Sequence, residues 1–151
     1  FYQIMAHYYQ NDPGNKPFLQ RVYYWRGAIE IIASNPVFGV GVGDMQDEFD
    51  TYFASEVKEL DQKYWHHTHN QYLTYFVISG VFGFLAFLWA VFYPLSIYIK
   101  RNSILALAQI VLLISFLSED TLETQAGVTL YVLFLALGIA LFNEKDRSPS
   151  T

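Results

Sequence analysis

A long uncharged segment is the feature that most constrains this chain. From Gln71 to Ile99 the sequence contains no charged residue. A helix rises about 1.5 Å per residue and a hydrocarbon core is roughly 30 Å thick, so the segment is long enough to cross a membrane even when tilted. It predicts a transmembrane helix.

Two shorter apolar runs follow, residues 103–117 and 126–142, each near the lower length limit for a membrane span. Three such runs joined by short polar links favour a membrane bundle over a soluble one. We therefore predict an all-α membrane protein. A helical loop region is expected at residues 1–69. Three transmembrane helices follow, at about 70–99, about 103–122 and about 126–142, and a short tail ends at residue 151.

Charge asymmetry sets the expected orientation. The first and third spans are each followed by basic residues, whereas the link at residues 118–125 contains three acids and no base. The positive-inside rule places the basic ends in the cytoplasm. Residues 1–69 and the acidic link are then expected on the outer side.

Composition excludes several classes. The chain has no cysteine, so disulfides and thiolate metal sites do not arise, and its net charge of -5 argues against a nucleic-acid partner. It begins without Met or a signal-peptide pattern, and we expect it to be the C-terminal part of a longer multi-pass protein.

An amphipathic helix is predicted before residue 35. Its apolar residues recur at alternating spacings of four and three: Phe18, Val22, Trp25, Ile29 and Ile32. Asn35-Pro36 is expected to end it, and residues 11–15 are expected to form a turn before it.

The two arginines of this helix differ in their neighbours. Arg26 has Glu30 one turn later, which predicts an intrahelical ion pair. Arg21 has no carboxylate three or four residues away, so its guanidinium is a candidate to bind a phosphate through two parallel hydrogen bonds. A solvated or snorkelling arginine is the alternative interpretation.

The glycine-rich stretch at residues 37–43 has the spacing G-x-G-x-G, which lacks the third glycine position of a dinucleotide site and the Gly-Lys-Ser/Thr of a P-loop. It predicts a close-packed turn. Asp44 is expected to cap a helix over 45–60 whose acids form a solvated face. Gly80 and Gly83 predict close helix packing in the first span.

Three histidines precede the uncharged segment. Thr68 followed by Gln71 is a capping pattern, which predicts a helix whose first turn contains His69 and Asn70. The positive end of a helix dipole disfavours imidazolium and favours a neutral His69 that accepts a proton near pH 7. The alternative is a polar cuff of histidines at the bilayer edge.

A zinc site is the other interpretation of His66, His67 and His69. The sequence lacks a His-Glu-x-x-His pattern, and adjacent histidines point in different directions. No metal site and no cofactor are predicted.

The order of these motifs resembles the O-antigen ligase and polymerase family of bacterial inner-membrane proteins. The resemblance rests on Arg21-x-x-x-Trp25, Asn35-Pro36-x-x-Gly39-x-Gly41, His69-Asn70-x-x-Leu73 and Gly80-Val81-Phe82-Gly83. It implies metal-independent, inverting transfer of a glycan from an undecaprenyl-pyrophosphate carrier to lipid A core, by ligases, or to another lipid-linked repeat, by polymerases. It also implies a periplasmic loop, and ligation is the favoured activity.

By this resemblance Arg21 corresponds to the arginine that holds the pyrophosphate, and His69 to the histidine that activates the acceptor hydroxyl. Further substrate-binding candidates are Arg26, Trp25, His67, Asn70, Glu119 and Asp120. The partners are membrane lipids, the lipid-linked glycan and its acceptor, and the chain alone is expected to be inactive. A non-catalytic assembly or transport component is the alternative from another class.

Overall fold

The computed structural model describes residues 17–57 and 60–147, with side chains up to residue 142. All regular secondary structure in this part of the chain is helical and no strand occurs in it, which confirms the all-α prediction. Its helices are α1 (Pro17–Ser34), α2 (Met45–Glu56), α3 (Gln71–Arg101), α4 (Ser103–Ser115) and α5 (Gln125–Arg147), with short 3-10 helices at Gln62–Tyr64 and Thr121–Glu123. The turn expected at residues 11–15 lies outside the described residues.

By length and composition, two helices suffice to cross a membrane, α3 and the part of α5 over Gln125–Phe142. The second predicted span is shorter than expected. Helix α4 has 13 residues and ends at Ser115, whereas a straight crossing takes about 20. The structure therefore supports two spans and does not establish a third.

The chain forms two compact units. The first contains the described residues up to His69 together with Leu73–Phe84, and the second contains Asn70–Tyr72 and the chain from Leu85. An aromatic core holds the first unit together. Phe49 and Phe53 are fully buried, and the Phe53 ring lies 5.9 Å from both the Tyr24 and Trp65 rings. Helices α1 and α2 and the segment after α2 thus share one core.

Helix α1 turns a different face to this core than its sequence pattern predicted. Two residues of the predicted stripe are largely exposed, Phe18 at 66% and Ile29 at 60%. The buried residues are instead Leu19, Tyr23, Tyr24, Gly27, Ala28 and Ile31. A Cβ on Gly27 would lie 2.8 Å from the Tyr52 ring, so the small residues of this face are what admit the aromatic rings of α2. As predicted, the helix ends just before Asn35-Pro36.

Helix α2 differs from its prediction at both ends. Asp44 occupies the N-cap position, but its side chain makes no capping hydrogen bond. Its backbone has φ -97° and ψ -7°, in the α region, whereas a capping residue needs a β-region backbone to aim its oxygen at the first turn. The helix ends at Glu56, earlier than the expected residue 60.

The glycine-rich loop, residues 36–43, is hydrogen-bonded to a break in α3. Gly80 has φ 62° and ψ -165°, a conformation accessible essentially to glycine alone. Around this break the amides of Val40 and Gly41 donate to the carbonyls of Val77 and Ile78, at 2.9 and 3.0 Å. In return the amide of Val81 donates to the carbonyl of Pro36 at 2.9 Å. The loop thus pairs with backbone groups that the interrupted helix leaves open.

Glycine is required on both sides of this contact. Gly39 has φ 68°, and a Cβ there would lie 2.5 Å from the Val77 oxygen. A Cβ on Gly80 would lie 2.6 Å from the Gly39 nitrogen. The predicted close-packed turn is confirmed. The prediction that Gly80 packs against another helix is wrong, because its close contacts are with the backbone of the glycine-rich loop.

In the second unit, the first turn of α3 is bound to the chain that follows α4. The Gln71 amide donates to the Phe116 carbonyl at 2.9 Å, and its side-chain oxygen accepts from the Leu122 amide at 2.6 Å. The Tyr72 hydroxyl donates to the Leu113 carbonyl at 3.0 Å. These bonds fix where α3 begins.

We expect Gly39→Ala and Gly80→Ala each to destabilise the protein. The added methyl group meets backbone atoms, and a left-handed φ by itself costs a non-glycine residue about 1–2 kcal/mol. Gly43→Ala is the matched control, because a Cβ there meets nothing within 4 Å. The midpoint of thermal unfolding in detergent should fall for the first two variants only. Equal midpoints for all three would contradict the contact between loop and helix.

Candidate functional site

The candidate site is the histidine segment, residues 66–69, which precedes α3. The helix begins at Gln71, so His69 and Asn70 lie before it and not in its first turn, contrary to the prediction. Asn70 caps the helix in place of Thr68, since its Oδ1 accepts from the Tyr72 amide at 3.1 Å. Thr68 is fully buried, and its hydroxyl pairs with that of Thr74.

His69 has a left-handed backbone, with φ 46°. This conformation is uncommon for residues other than glycine, and where the surrounding structure enforces it, it marks a position worth functional attention. The turn places the imidazole just outside the end of α3, where it is half-buried.

Helix α1 holds the histidine segment through two aromatic side chains. The Tyr24 hydroxyl donates to the Tyr64 carbonyl at 2.7 Å, and the Trp25 indole N–H donates to the Thr68 carbonyl at 3.0 Å. Both hydrogen bonds join residues far apart in sequence. They hold the backbone before His66 and between His67 and His69, so the packing of α1 positions the segment that carries the imidazoles.

The rings of His66 and His69 lie against Tyr24, and the His67 ring lies against His69. The His69 ring centre lies 5.8 Å from that of Tyr24, 5.8 Å from that of His67 and 6.1 Å from that of His66. The His67 and His69 rings are stacked at 23°. His66 is exposed, whereas His67 and His69 are half-buried. The arrangement offers several imidazole nitrogens for hydrogen bonding or proton transfer within one small region.

Tyr24 is the residue of this site that sequence reasoning missed. Burial raises the pKa of Tyr24 to about 12, so it stays protonated at neutral pH and acts as a donor. The stability gained by keeping it neutral is complete below its ordinary pKa of about 10 and is lost as pH rises toward the raised value. The available signal was its position three residues after Arg21 and beside Trp25.

The structure distinguishes the two arginines. The Nε of Arg26 lies 2.9 Å from the Glu30 Oε1, which confirms the predicted ion pair. Arg21 is half-buried and precedes Tyr24 and Trp25 by three and four residues. Residues at these spacings share one helix face. Arg21 therefore lies on the side of α1 whose side chains hold the histidine segment.

The remaining candidates belong to the second unit. Both ends of the Asn70 amide are engaged, since its Nδ2 donates to the Leu117 carbonyl at 3.2 Å while its oxygen caps α3. Glu119 is exposed in the turn after α4. Asp120 is buried, and its carbonyl accepts from the Glu123 amide at 3.1 Å. The Asn70 side chain thus joins the start of α3 to the segment that follows α4.

Comparison with protein-family models identifies the family. The family model described as O-antigen ligase matches residues 3–88, more than half of the chain. The matched range includes Arg21, the glycine-rich loop, the histidine segment and the break at Gly80. No curated protein and no solved structure matches the chain significantly. The chain belongs to the O-antigen ligase family, whose members are integral to membranes and transfer glycans.

Proposed function

We propose that this protein transfers a glycan from an undecaprenyl-pyrophosphate carrier to lipid A core, as an O-antigen ligase in lipopolysaccharide biosynthesis. The observation that carries the proposal is the attachment of the histidine segment to α1. Tyr24 and Trp25 make the two hydrogen bonds, one turn from Arg21. A cation suited to phosphate and a set of bases therefore belong to one compact unit.

Arg21 is proposed to bind the pyrophosphate. As the glycosyl bond breaks, negative charge grows on the departing phosphate oxygen, and a fixed guanidinium stabilises that charge with parallel N–H donors. Its half-buried position favours this role, since a charge interaction gains strength where water is partly excluded. Arg26 is a weaker candidate for substrate binding because its guanidinium already pairs with Glu30.

His69 is proposed as the general base. Its imidazole takes the proton from the acceptor hydroxyl as that oxygen attacks the anomeric carbon, and the bond to the pyrophosphate breaks on the opposite face. This inverting displacement needs a base and a stabilised leaving group, and we propose that it proceeds without a metal ion. His67 stacks on His69, so it is placed to bind the acceptor or to share the proton.

Other residues are proposed to bind substrate. Trp25 is half-buried beside the histidine segment, where its indole offers an apolar face to a sugar ring. Asn70, Glu119 and Asp120 are proposed to bind sugar hydroxyls, although the Asn70 amide also holds α3.

We also propose the topology that this reaction requires. Helix α4 with the residues up to 122 forms the second of three spans, between α3 and α5 in the chain. The basic residues at the ends of α3 and α5 lie in the cytoplasm. The histidine segment then faces the periplasm from the bacterial inner membrane. The donor and the acceptor both meet it there.

Deletion of the complete gene tests the proposal. A ligase defect leaves core-only lipopolysaccharide on a silver-stained gel, while long glycan chains accumulate on the undecaprenyl carrier. A polymerase defect leaves core bearing a single repeat. An unchanged gel together with an unchanged carrier pool would refute transfer of O-antigen and favour the non-catalytic alternative.

Substitutions in the complete protein test the two catalytic assignments. We expect His69→Ala to lower the transfer rate by about 10²–10⁴-fold, the usual contribution of a general base. Arg21→Lys should lower it by about 10²-fold or more, because lysine keeps the charge and loses the paired donors. Transfer of radiolabelled glycan to core lipid in membrane vesicles measures both rates.

Two matched controls belong to this experiment. Arg26→Ala removes an arginine from the same helix, and His66→Ala removes an exposed histidine from the same segment. His66→Ala should retain a near-normal rate, and Arg26→Ala should lower transfer much less than Arg21→Lys does, because the Arg26 guanidinium already pairs with Glu30. A near-normal rate for His69→Ala together with a large loss for His66→Ala would move the role of base to His66.

Metal independence is a separate prediction. Wild-type protein in vesicles washed with excess EDTA should transfer glycan at the untreated rate, since the proposed steps use only Arg21 and His69. A loss of activity that added zinc restores would instead assign the histidine segment to metal binding.

A further inference from the structure

The glycine-rich loop exposes apolar side chains. Phe38 is 81% exposed, Val42 77% and Val37 42%. Single exposed apolar residues are ordinary, but three within one short loop form the kind of surface that proteins use for contact with a partner or a membrane. No charged residue occurs from Ile31 to Gly43.

This loop is held in place by its backbone. The Gly39 amide donates to the Asn35 carbonyl at 3.1 Å, and the amides of Val40 and Gly41 donate to α3. Three consecutive donors are therefore satisfied without water. Backbone inside a hydrocarbon environment must be paired in this way, because each open group costs several kcal/mol there.

The position of the loop along α3 matches a membrane border. Lys100 and Arg101 end the uncharged helix. A hydrocarbon core of roughly 30 Å corresponds to about 20 helical residues. Counting back from Lys100 by that length reaches Gly80, where the loop is bound.

The apolar surface also continues onto the helix. Val81 donates to Pro36 of the loop, and the next residue of α3, Phe82, is 67% exposed. Since α3 is one of the two helices suited to cross the membrane, its exposed apolar residues suit contact with acyl chains. The loop is joined to α3 at the place where that surface begins.

We propose that the glycine-rich loop inserts Phe38 and Val42 into the acyl-chain border of the bilayer and so fixes the height of the first unit. The partner is the lipid itself. The loop ends at Gly43, and the next residue, Asp44, is the first charged residue after Glu30. Its charge places the start of α2 in water. The proposal depends on membrane integration alone and is independent of which glycan is transferred.

Nitroxide labelling of the complete protein in phospholipid nanodiscs tests this. These 151 residues contain no cysteine, so Phe38→Cys and Val42→Cys each add one labelling site to them. Both variants are made in a complete protein without other cysteines. Gln46→Cys is the matched control, an exposed position on α2. Collision rates with oxygen, which concentrates in lipid, and with a water-soluble nickel chelate report the surroundings of each label.

We expect more frequent collisions with oxygen than with the nickel chelate at positions 38 and 42, and the reverse at 46. Frequent collisions with the nickel chelate at 38 and 42 would place the loop in water and overturn the proposal. Shielding from both reagents would also overturn it, by showing that another protein segment covers the loop.

A second measurement covers the case in which a label disturbs the loop. Phe38→Trp keeps an aromatic side chain at the same position. Its added fluorescence should be quenched in nanodiscs that contain lipids brominated near the upper acyl carbons, relative to unbrominated lipids. The difference from the wild-type protein separates this signal from that of the native tryptophans, three of which lie in these 151 residues. Unquenched added fluorescence would contradict insertion.

Discussion

The backbone contact between the glycine-rich loop and the break in α3 is the constraint on which the first unit depends. An interrupted helix leaves donors and acceptors open, and in a membrane these groups have no water to bind. The loop supplies partners for Val77, Ile78 and Val81. Because both Gly39 and Gly80 have a left-handed backbone and touch each other closely, the contact admits no side chain at either position.

This contact connects the histidine segment to the membrane through covalently adjacent elements. The loop follows α1 directly, and α1 holds the segment through Tyr24 and Trp25. Each such hydrogen bond contributes only about 1 kcal/mol net to stability. The two bonds therefore orient the segment but supply little of the free energy that holds it in place. The buried aromatic core supplies the larger free energy, since each ring of this size removes about 150–250 Å² from water.

Sequence patterns correctly predicted the features that depend on neighbouring residues alone. The Arg26–Glu30 pair follows from a spacing of four residues on one helix, and the end of α1 follows from the proline after Asn35. The face of α1 was not predictable in this way. Which face of α1 turns inward depends on the rings of α2 that pack on Gly27, and periodicity carries no information about those partners.

The candidate site shows the same division. The identity of the histidine segment was visible in its residues, but its geometry was not. Asn70 and Thr68 both precede α3, and both residue types suit the capping position. The Thr68 hydroxyl is hydrogen-bonded to that of Thr74, one turn into the helix, so Asn70 is the residue that caps. The break at Gly80 was also hidden, because a glycine in an apolar run looks the same whether the helix continues or stops.

The orientation of α1 decides whether the proposed chemistry can reach a lipid-linked donor. A pyrophosphate attached to a polyprenyl chain stays at the membrane surface, since its tail is held in hydrocarbon and its charges are held in water. Arg21 lies about 20 Å along α1 from Ser34. An upright helix would therefore carry it well away from the surface, whereas a helix lying flat keeps it at the level of the phosphates. The exposed Phe18 and Ile29 share one face of α1, as in helices that rest on a membrane surface, and they favour the flat orientation.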